Sequence, residues 1–265
     1  MTELPSNPPR NLPPHKLSRR KLIAGGLAAT GGVLGLGVAT RVAQGYGLIP
    51  PDHGGIFGLG ETLTYASQRL LTRHSLAREF SRNQISKRPV ANEIPPFGDA
   101  FKRLQAGGFA DWKLEINGLV DRPGSFSLDQ LKSYPPHSQI TQLACEEGWS
   151  YIAEWNGVPL SHVLDIVGVH PQARYAVYFS IDTDWWDSID MADALHPQTF
   201  LAYGMNGDEL PVGNGGPLRL RLPRQLGYKS VKYITRMTVT DSVKGFGKGL
   251  GSASPEGGYA WYAGI

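Results

Sequence analysis

The sequence predicts one mixed α+β domain of short strands and short helices, preceded by a leader. Three observations carry that expectation. Glycine (33 residues) and proline (20) punctuate the whole 265-residue chain, so long uninterrupted elements are few. Alternation of apolar and polar residues, the strand period, recurs at 112–120 and 138–144, and 175–181 is a short apolar strand run. Between those runs lie brief amphipathic stretches headed by capping residues, as at 127–131 and 160–167. At 41% hydrophobic and 18% charged residues, the composition is globular and the length suffices for a real core.

Residues 1–43 read as a twin-arginine-type export signal or an N-terminal anchor. Arg19-Arg20-Lys21 precedes a weakly apolar run, 22–40, that carries six glycines. About 18 apolar residues can just span a bilayer, but these glycines weaken both hydrophobicity and helicity. The expectation is therefore a periplasmic protein delivered by the twin-arginine export machinery, membrane-tethered if the leader is not cleaved. The leader holds six basic residues against the single acid Glu3, which leaves the rest of the chain slightly negative. That balance gives no reason to expect nucleic acid as a partner.

Residues 44–110 read as a connector and N-terminal loop region. A short helix is expected over 61–72, then a polar stretch over 73–96 without a period, lying on the surface or over a site, and a helical turn at 101–105. The main domain spans 111–243. Its first strand, 112–120, turns at Asp121-Arg122-Pro123-Gly124; Ser127 caps a short helix with Leu128 and Leu131 inward. The strand 138–144 ends at Cys145. Trp155-Asn156-Gly157-Val158-Pro159-Leu160 reads as a turn, with Ser161 capping a helix over 160–167. A strand over 175–181 leads into a loop over 182–188, and a short helix starts at 190–194. Asn206-Gly207 marks a hairpin turn of the kind that needs positive φ. Residues 244–265 form a Gly-rich C-terminal tail, expected to be loosely ordered or draped over the surface.

Cys145 is the only cysteine, so it cannot form an intramolecular disulfide. Glu146 and Glu147 follow it at once, and neighbouring negative charge makes a free thiol a poor nucleophile. A metal ion would deprotonate the same thiol outright. Seventy residues later Arg219 and Arg221 alternate with leucines, so both point to one strand face, and Lys229 and Lys232 follow a glycine turn. Four cations near flexible backbone amides form either an anion cradle or a solvated basic face. Other chemistries are unsupported. H-x-x-H, H-E-x-x-H and C-x-x-C are missing, Gly148-Trp149-Ser150-Tyr151-Ile152 falls short of a nucleophile elbow, and neither Gly227-Tyr228-Lys229-Ser230 nor Gly247-x-Gly249-x-Gly251 completes a nucleotide motif.

Four segments, in this order, carry a resemblance. They are Ala144-Cys145-x-Glu147-Gly148-Trp149-Ser150, Asn156-Gly157-Val158-Pro159-Leu160, Asn214-Gly-Gly-Pro-Leu-Arg219 and Gly227-Tyr-Lys-Ser-Val-Lys232. Over about 112–241 the chain resembles the sulfite-oxidase fold family of molybdopterin oxidoreductases, in its exported bacterial branch of methionine sulfoxide reductase catalytic subunits. The resemblance implies a sulfite oxidase-like molybdopterin-binding fold and a molybdenum–molybdopterin (Mo-MPT) cofactor. It makes Cys145 the catalytic residue and metal ligand, and Asn83, Ser180, Asn214, Arg219, Ser230, Val231 and Lys232 the cofactor-binding residues. The activity implied is two-electron oxo transfer on a small-molecule substrate, a sulfoxide or related S- or N-oxide. Trp149, Asp182, Trp185 and Trp186 bracket the site-forming loops as candidate linings of the substrate funnel. With no immunoglobulin-like domain after the cofactor block, the expectation is a monomer that exchanges electrons with a membrane haem partner. The competing expectation is a non-catalytic envelope binding or assembly module that keeps the fold.

Overall fold

The computed structural model describes residue 43 and residues 47–54, 58–91, 98–181 and 185–265. The chain divides into Met1–Leu48 and Ile49–Ile265, and all the elements named here belong to the second unit. The leader read at 1–43 lies outside the described residues apart from Ala43. Among the described residues no helix is long and apolar enough to cross a membrane.

Two five-stranded sheets form the body, which is α+β as the sequence predicts. The first has the order β2 (Gly124–Ser127), β1 (Lys113–Gly118), β10 (Ile234–Thr240), β5 (Tyr175–Ser180), β6 (Trp186–Asp190). It is mixed, because β1 and β10 run parallel while its other neighbours are antiparallel. The second has the order β3 (His137–Ala144), β4 (Ser150–Pro159), β7 (Phe200–Met205), β8 (Asp208–Glu209), with β9 (Arg219–Arg221) also paired to β7. Alternation explains the first sheet's inner face: Leu114 and Ile116 of β1 and Met237 and Val239 of β10 are all buried in the main core. Short helices cover that core. Leu128–Ser133 starts at the expected cap Ser127, which forms a capping box with Gln130, and buries Leu128 and Leu131.

Four sequence expectations are corrected. The helix Leu160–Val167 begins directly after Pro159 and Ser161 is not its cap. Burial of Leu160, Val163, Leu164 and Val167, spaced i, i+3, i+4, i+7, sets its start instead. Residues 155–159 are the end of β4, not a turn, and pair with β7 across a bulge between Asn156 and Gly157. Gly157 permits that pairing, since an added β-carbon would lie 2.1 Å from the Leu201 carbonyl oxygen. Residues 186–188 belong to β6, although 182–188 reads as a loop.

The fourth correction concerns the tail. Trp261, Tyr262 and Ala263 are buried, and the Trp261 ring packs edge-on against Tyr65 and Tyr175 at 5.6 and 5.9 Å. Phe246 packs with Phe179 and Trp186 on the outer face of the first sheet. Aromatic anchors bury much area without any periodic pattern, so a period-based reading misses them.

The N-terminal flank is fastened in a different way. The helix Gly58–Leu71 projects Arg69 into the body, where its guanidinium meets Asp193 at 2.6 Å and Asp190 at 2.7 Å. Arg224 joins Asp193 from the other side at 3.3 Å, so two cations serve these buried acids. Farther on, residues 77–90 run as a strap over the second sheet. Phe80 N–H donates to Ile140 O, Arg82 pairs bidentately with Glu154, and the Ser86 backbone and hydroxyl both bond Ile152.

Candidate cofactor site

The ends of both sheets meet around one pocket of about 400 Å³. Seven of the eight residues expected to bind or catalyse line it: Cys145, Ser180, Asn214, Arg219, Ser230, Val231 and Lys232. Asn83 does not. It sits exposed in the 3-10 turn Arg82–Gln84, where its side-chain oxygen accepts from the Ser81 hydroxyl. Trp149 and Trp185 line the pocket, as expected of funnel residues. Trp186 packs instead in the cluster with Val177 and Val243, its ring stacked on Phe179 at 6.1 Å. Asp182 lies outside the described residues.

The expected site residues sit at the ends of regular elements or in the turns beside them. Cys145 follows β3 in a tight turn in which Cys145 N–H donates to Trp149 O at 2.8 Å and Gly148 N–H to Cys145 O at 3.1 Å. Gly148 takes φ +91° there, a conformation that favours glycine. Ser180 ends β5, Asn214 closes the turn Val212–Asn214, and Arg219 opens β9. Residues 230–232 leave the 3-10 turn Gly227–Lys229, which passes close to the cysteine turn. A β-carbon on Gly227 would meet Ala144 O at 3.2 Å and the Cys145 α-carbon at 3.7 Å.

The electrostatics of the pocket are lopsided. Burial pushes the Cys145 thiol up to about 11, and its S–H donates to Glu146 Oε2 at 3.3 Å. As a free thiol it would be almost wholly protonated at neutral pH. Opposite it, burial lowers the pKa of Arg219 and, with the charge of Arg219 added, brings Lys232 to about 8 and Arg221 to about 9. Neither Arg219 nor Arg221 forms an ion pair with a carboxylate among the described residues. Arg219 donates to Asn214 O and Ser230 O, both at 2.6 Å, and its buried Nε has no acceptor among the described residues. Lys232 Nζ reaches Gly213 O at 2.6 Å.

The four-cation cradle is thereby corrected to a smaller one. Arg219 and Lys232 line the pocket, whereas Arg221 lies behind them, 4.7 Å over the Trp155 ring and hydrogen-bonded to Gln142 O. Lys229 turns wholly inward to Asp187. Sequence reasoning missed Val90, Tyr151, Tyr228 and Tyr233, all of which line the pocket. For Tyr151 a signal existed: it lies two residues after Trp149, hence on the same face, and the rings stack 6.1 Å apart. Asn214 Nδ2 donates to both Tyr151 and the Val90 carbonyl, at 3.3 Å each, so the strap's end is bonded to the cradle.

These residues fit an anionic, thiophilic-metal cofactor. A soft sulfur donor faces one side of the space, and buried cations with an acceptorless Arg219 Nε face the other. Burying the Arg219 guanidinium without a carboxylate is costly, and an incoming phosphate would offset that cost. The fold and the site thus define a cofactor-binding domain whose pocket sets a thiol against a cationic cradle. The chain belongs to the family of oxidoreductase molybdopterin-binding domains, whose model matches residues 103–245. Its cofactor is molybdenum–molybdopterin.

Among relatives, a provisionally named protein-methionine-sulfoxide reductase subunit YedZ1 of Azospira oryzae is 42% identical over 155 residues, 58% of this chain and 56% of the relative. The protein-methionine-sulfoxide reductase catalytic subunits MsrP of Xanthomonas campestris and Ralstonia nicotianae are each 33% identical, over 55% and 49% of this chain and 50% and 44% of theirs. The chain spans about half the length of the curated relatives it matches. The sulfane dehydrogenase SoxCD structure from Paracoccus pantotrophus is similar at a TM-score of 0.49 and 23% identity, over 64% of this chain and 46% of that one, a likeness too distant to add to the family assignment.

Proposed function

We propose that this protein is the molybdenum-bearing catalytic subunit of an exported oxidoreductase that acts on a sulfoxide, with a methionine sulfoxide side chain as the first substrate to test. The observation that carries the reading is the convergence of Cys145, Asn214, Arg219 and Lys232 on one pocket from three separate segments. Bound molybdenum–molybdopterin supplies two-electron oxo-transfer chemistry. Cys145 would be the protein's ligand to the metal. Arg219, Lys232, Asn214 and the 230–232 backbone would hold the pterin and its phosphate, with Ser180 a further polar contact. Trp149 and Trp185 would shape access; Trp185 is 42% exposed and so stands at the mouth. Aromatic faces suit a thioether or its oxide, which binds by contact rather than charge.

The substrate class is supported by the names of the relatives at 33–42% identity. The periplasmic destination and the twin-arginine route are supported by Arg19-Arg20 ahead of the glycine-rich run. A membrane haem protein as electron partner follows from the same resemblance. Protein made in a molybdopterin-competent host, with a reduced artificial donor and a panel of sulfoxides, N-oxides and sulfite, tests the reading. Molybdenum near one equivalent with turnover on methionine sulfoxide supports it. Metal without sulfoxide turnover refutes the substrate assignment, and protein without metal leaves only a binding module.

A further inference from the structure

We propose that Lys229, which does not touch the pocket, is the positioning residue of the cofactor cradle, and that the C-terminal segment beyond the family-matched region completes this support. Lys229 sits in the turn Gly227–Lys229, between the pocket-lining residues Tyr228 and Ser230, yet it is fully buried on the side away from the pocket. Its Nζ pairs with Asp187 and donates to Ser188 O at 2.6 Å, and its own carbonyl accepts from Tyr178 Oη at 2.8 Å. Both ends of this residue are therefore pinned to β5 and β6.

The partners are themselves fixed by residues after position 245. Ser254 Oγ donates to the second Asp187 oxygen at 3.0 Å, and Trp261 Nε1 to Ser188 Oγ at 2.8 Å. Ser188 Oγ in turn donates to Gly251 O at 2.6 Å, and the Trp261 ring lies 5.1 Å from the Lys229 ammonium. Tyr228 is held from the same segment, by Ala260 O at 2.7 Å and by ring contact with Tyr259 at 5.4 Å.

The turn matters because Ser230 closes the cradle. Ser230 O accepts from Arg219 and Ser230 Oγ from Leu222 N–H, so a shift at residue 229 moves the acceptor that orients the pocket guanidinium. A lone buried lysine and aspartate beneath a cofactor turn stabilise the fold weakly as a pair, but they specify one geometry. The inference rests on the cofactor reading above.

The test compares wild type, Lys229→Met, Ser254→Ala and Trp261→Phe with the core control Ile116→Val, all made in a molybdopterin-competent host. Pterin and molybdenum per folded chain, the rate of pterin release and the Mo(V) spectrum are read beside thermal stability. Ser254→Ala and Trp261→Phe are expected to release pterin roughly tenfold faster, the scale of one lost hydrogen bond to a buried charge or its partner. Both should also show an altered Mo(V) spectrum, with Lys229→Met more severe and Ile116→Val unchanged in both readouts. Should Lys229→Met fail to fold, the other two variants decide. Lower melting temperatures with wild-type release rates and spectra in those two would overturn the proposal, since the cluster would then be structural only. Wild-type protein without pterin would defeat the cofactor reading itself, a separate and recognisable outcome.

Discussion

Gly227 passes the cysteine turn so closely that a single added carbon would press on Ala144 O at 3.2 Å and on the Leu143 side chain at 3.1 Å. The Gly227 turn and the Cys145 turn, more than eighty residues apart in the chain, thus share a van der Waals boundary. Gly227→Ala requires a shift of a few tenths of an ångström, and Gly227→Val requires more. Overpacking of this kind costs about 1–3 kcal/mol. The expected result is a graded loss of bound molybdenum from Gly to Ala to Val, larger than the loss of helix and sheet signal in circular dichroism.

Arg219 separates charge from geometry. Arg219→Lys keeps a cation but cannot span Asn214 O and Ser230 O with one planar fork, whereas Arg219→Ala removes both bonds. Pterin content is expected to fall in both variants and to be lowest in Arg219→Ala. Equal pterin in Arg219→Ala and wild type would show that the cradle does not hold the phosphate.

The fold's N-terminal fastening should be sensitive to acid. Burial raises the Asp193 carboxyl, but the charges of Arg69 and Arg224 outweigh it and hold the group below its ordinary value. A carboxylate with a lowered folded pKa contributes stability above the unfolded value, about 3.9, and that contribution disappears as pH falls through the folded pKa. Melting temperature should accordingly drop as pH falls below about 4. Arg69→Ala should lower stability at pH 7 by about 3–5 kcal/mol, because Asp190 and Asp193 lose a buried partner. It should also flatten the acid limb of the melting profile.

The strap can be loosened separately. Arg82 is mostly exposed, so Arg82→Ala opens the Glu154 carboxylate to water, with the Ser138 hydroxyl still donating to it. Proteolysis near residues 82–90 is expected to accelerate, with little change in melting temperature, since exposed partners contribute about 1 kcal/mol or less.

How much of this was legible follows from the range of each interaction. Cys145 at a strand end, the Ser127 cap and the Arg219–Arg221 alternation are local patterns, and the structure shows each of them. The fate of the cations was not legible. Lys229 and Lys232 are three residues apart in the same motif, yet one faces Asp187 in the interior and the other the pocket, a difference set by β6 some forty residues upstream. Likewise 155–159 reads as a turn until β7 is there to pair with it. Trp261 looks like part of a glycine-rich tail until Tyr65 and Tyr175 supply its pocket. Asn83 stands apart: the family resemblance implied a cofactor contact, and the structure keeps it in a surface turn bonded to Ser81.

The central claim is that Cys145 and the Arg219–Lys232 cradle are two halves of one cofactor site. The most direct measurement is molybdenum and pterin per chain, by mass spectrometry and pterin fluorescence, in wild type, Cys145→Ser and Arg219→Ala from a molybdopterin-competent host. The prediction is near-equimolar metal and pterin in wild type, pterin retained with metal reduced in Cys145→Ser, and both reduced in Arg219→Ala. Wild-type levels of metal and pterin in both variants would contradict it.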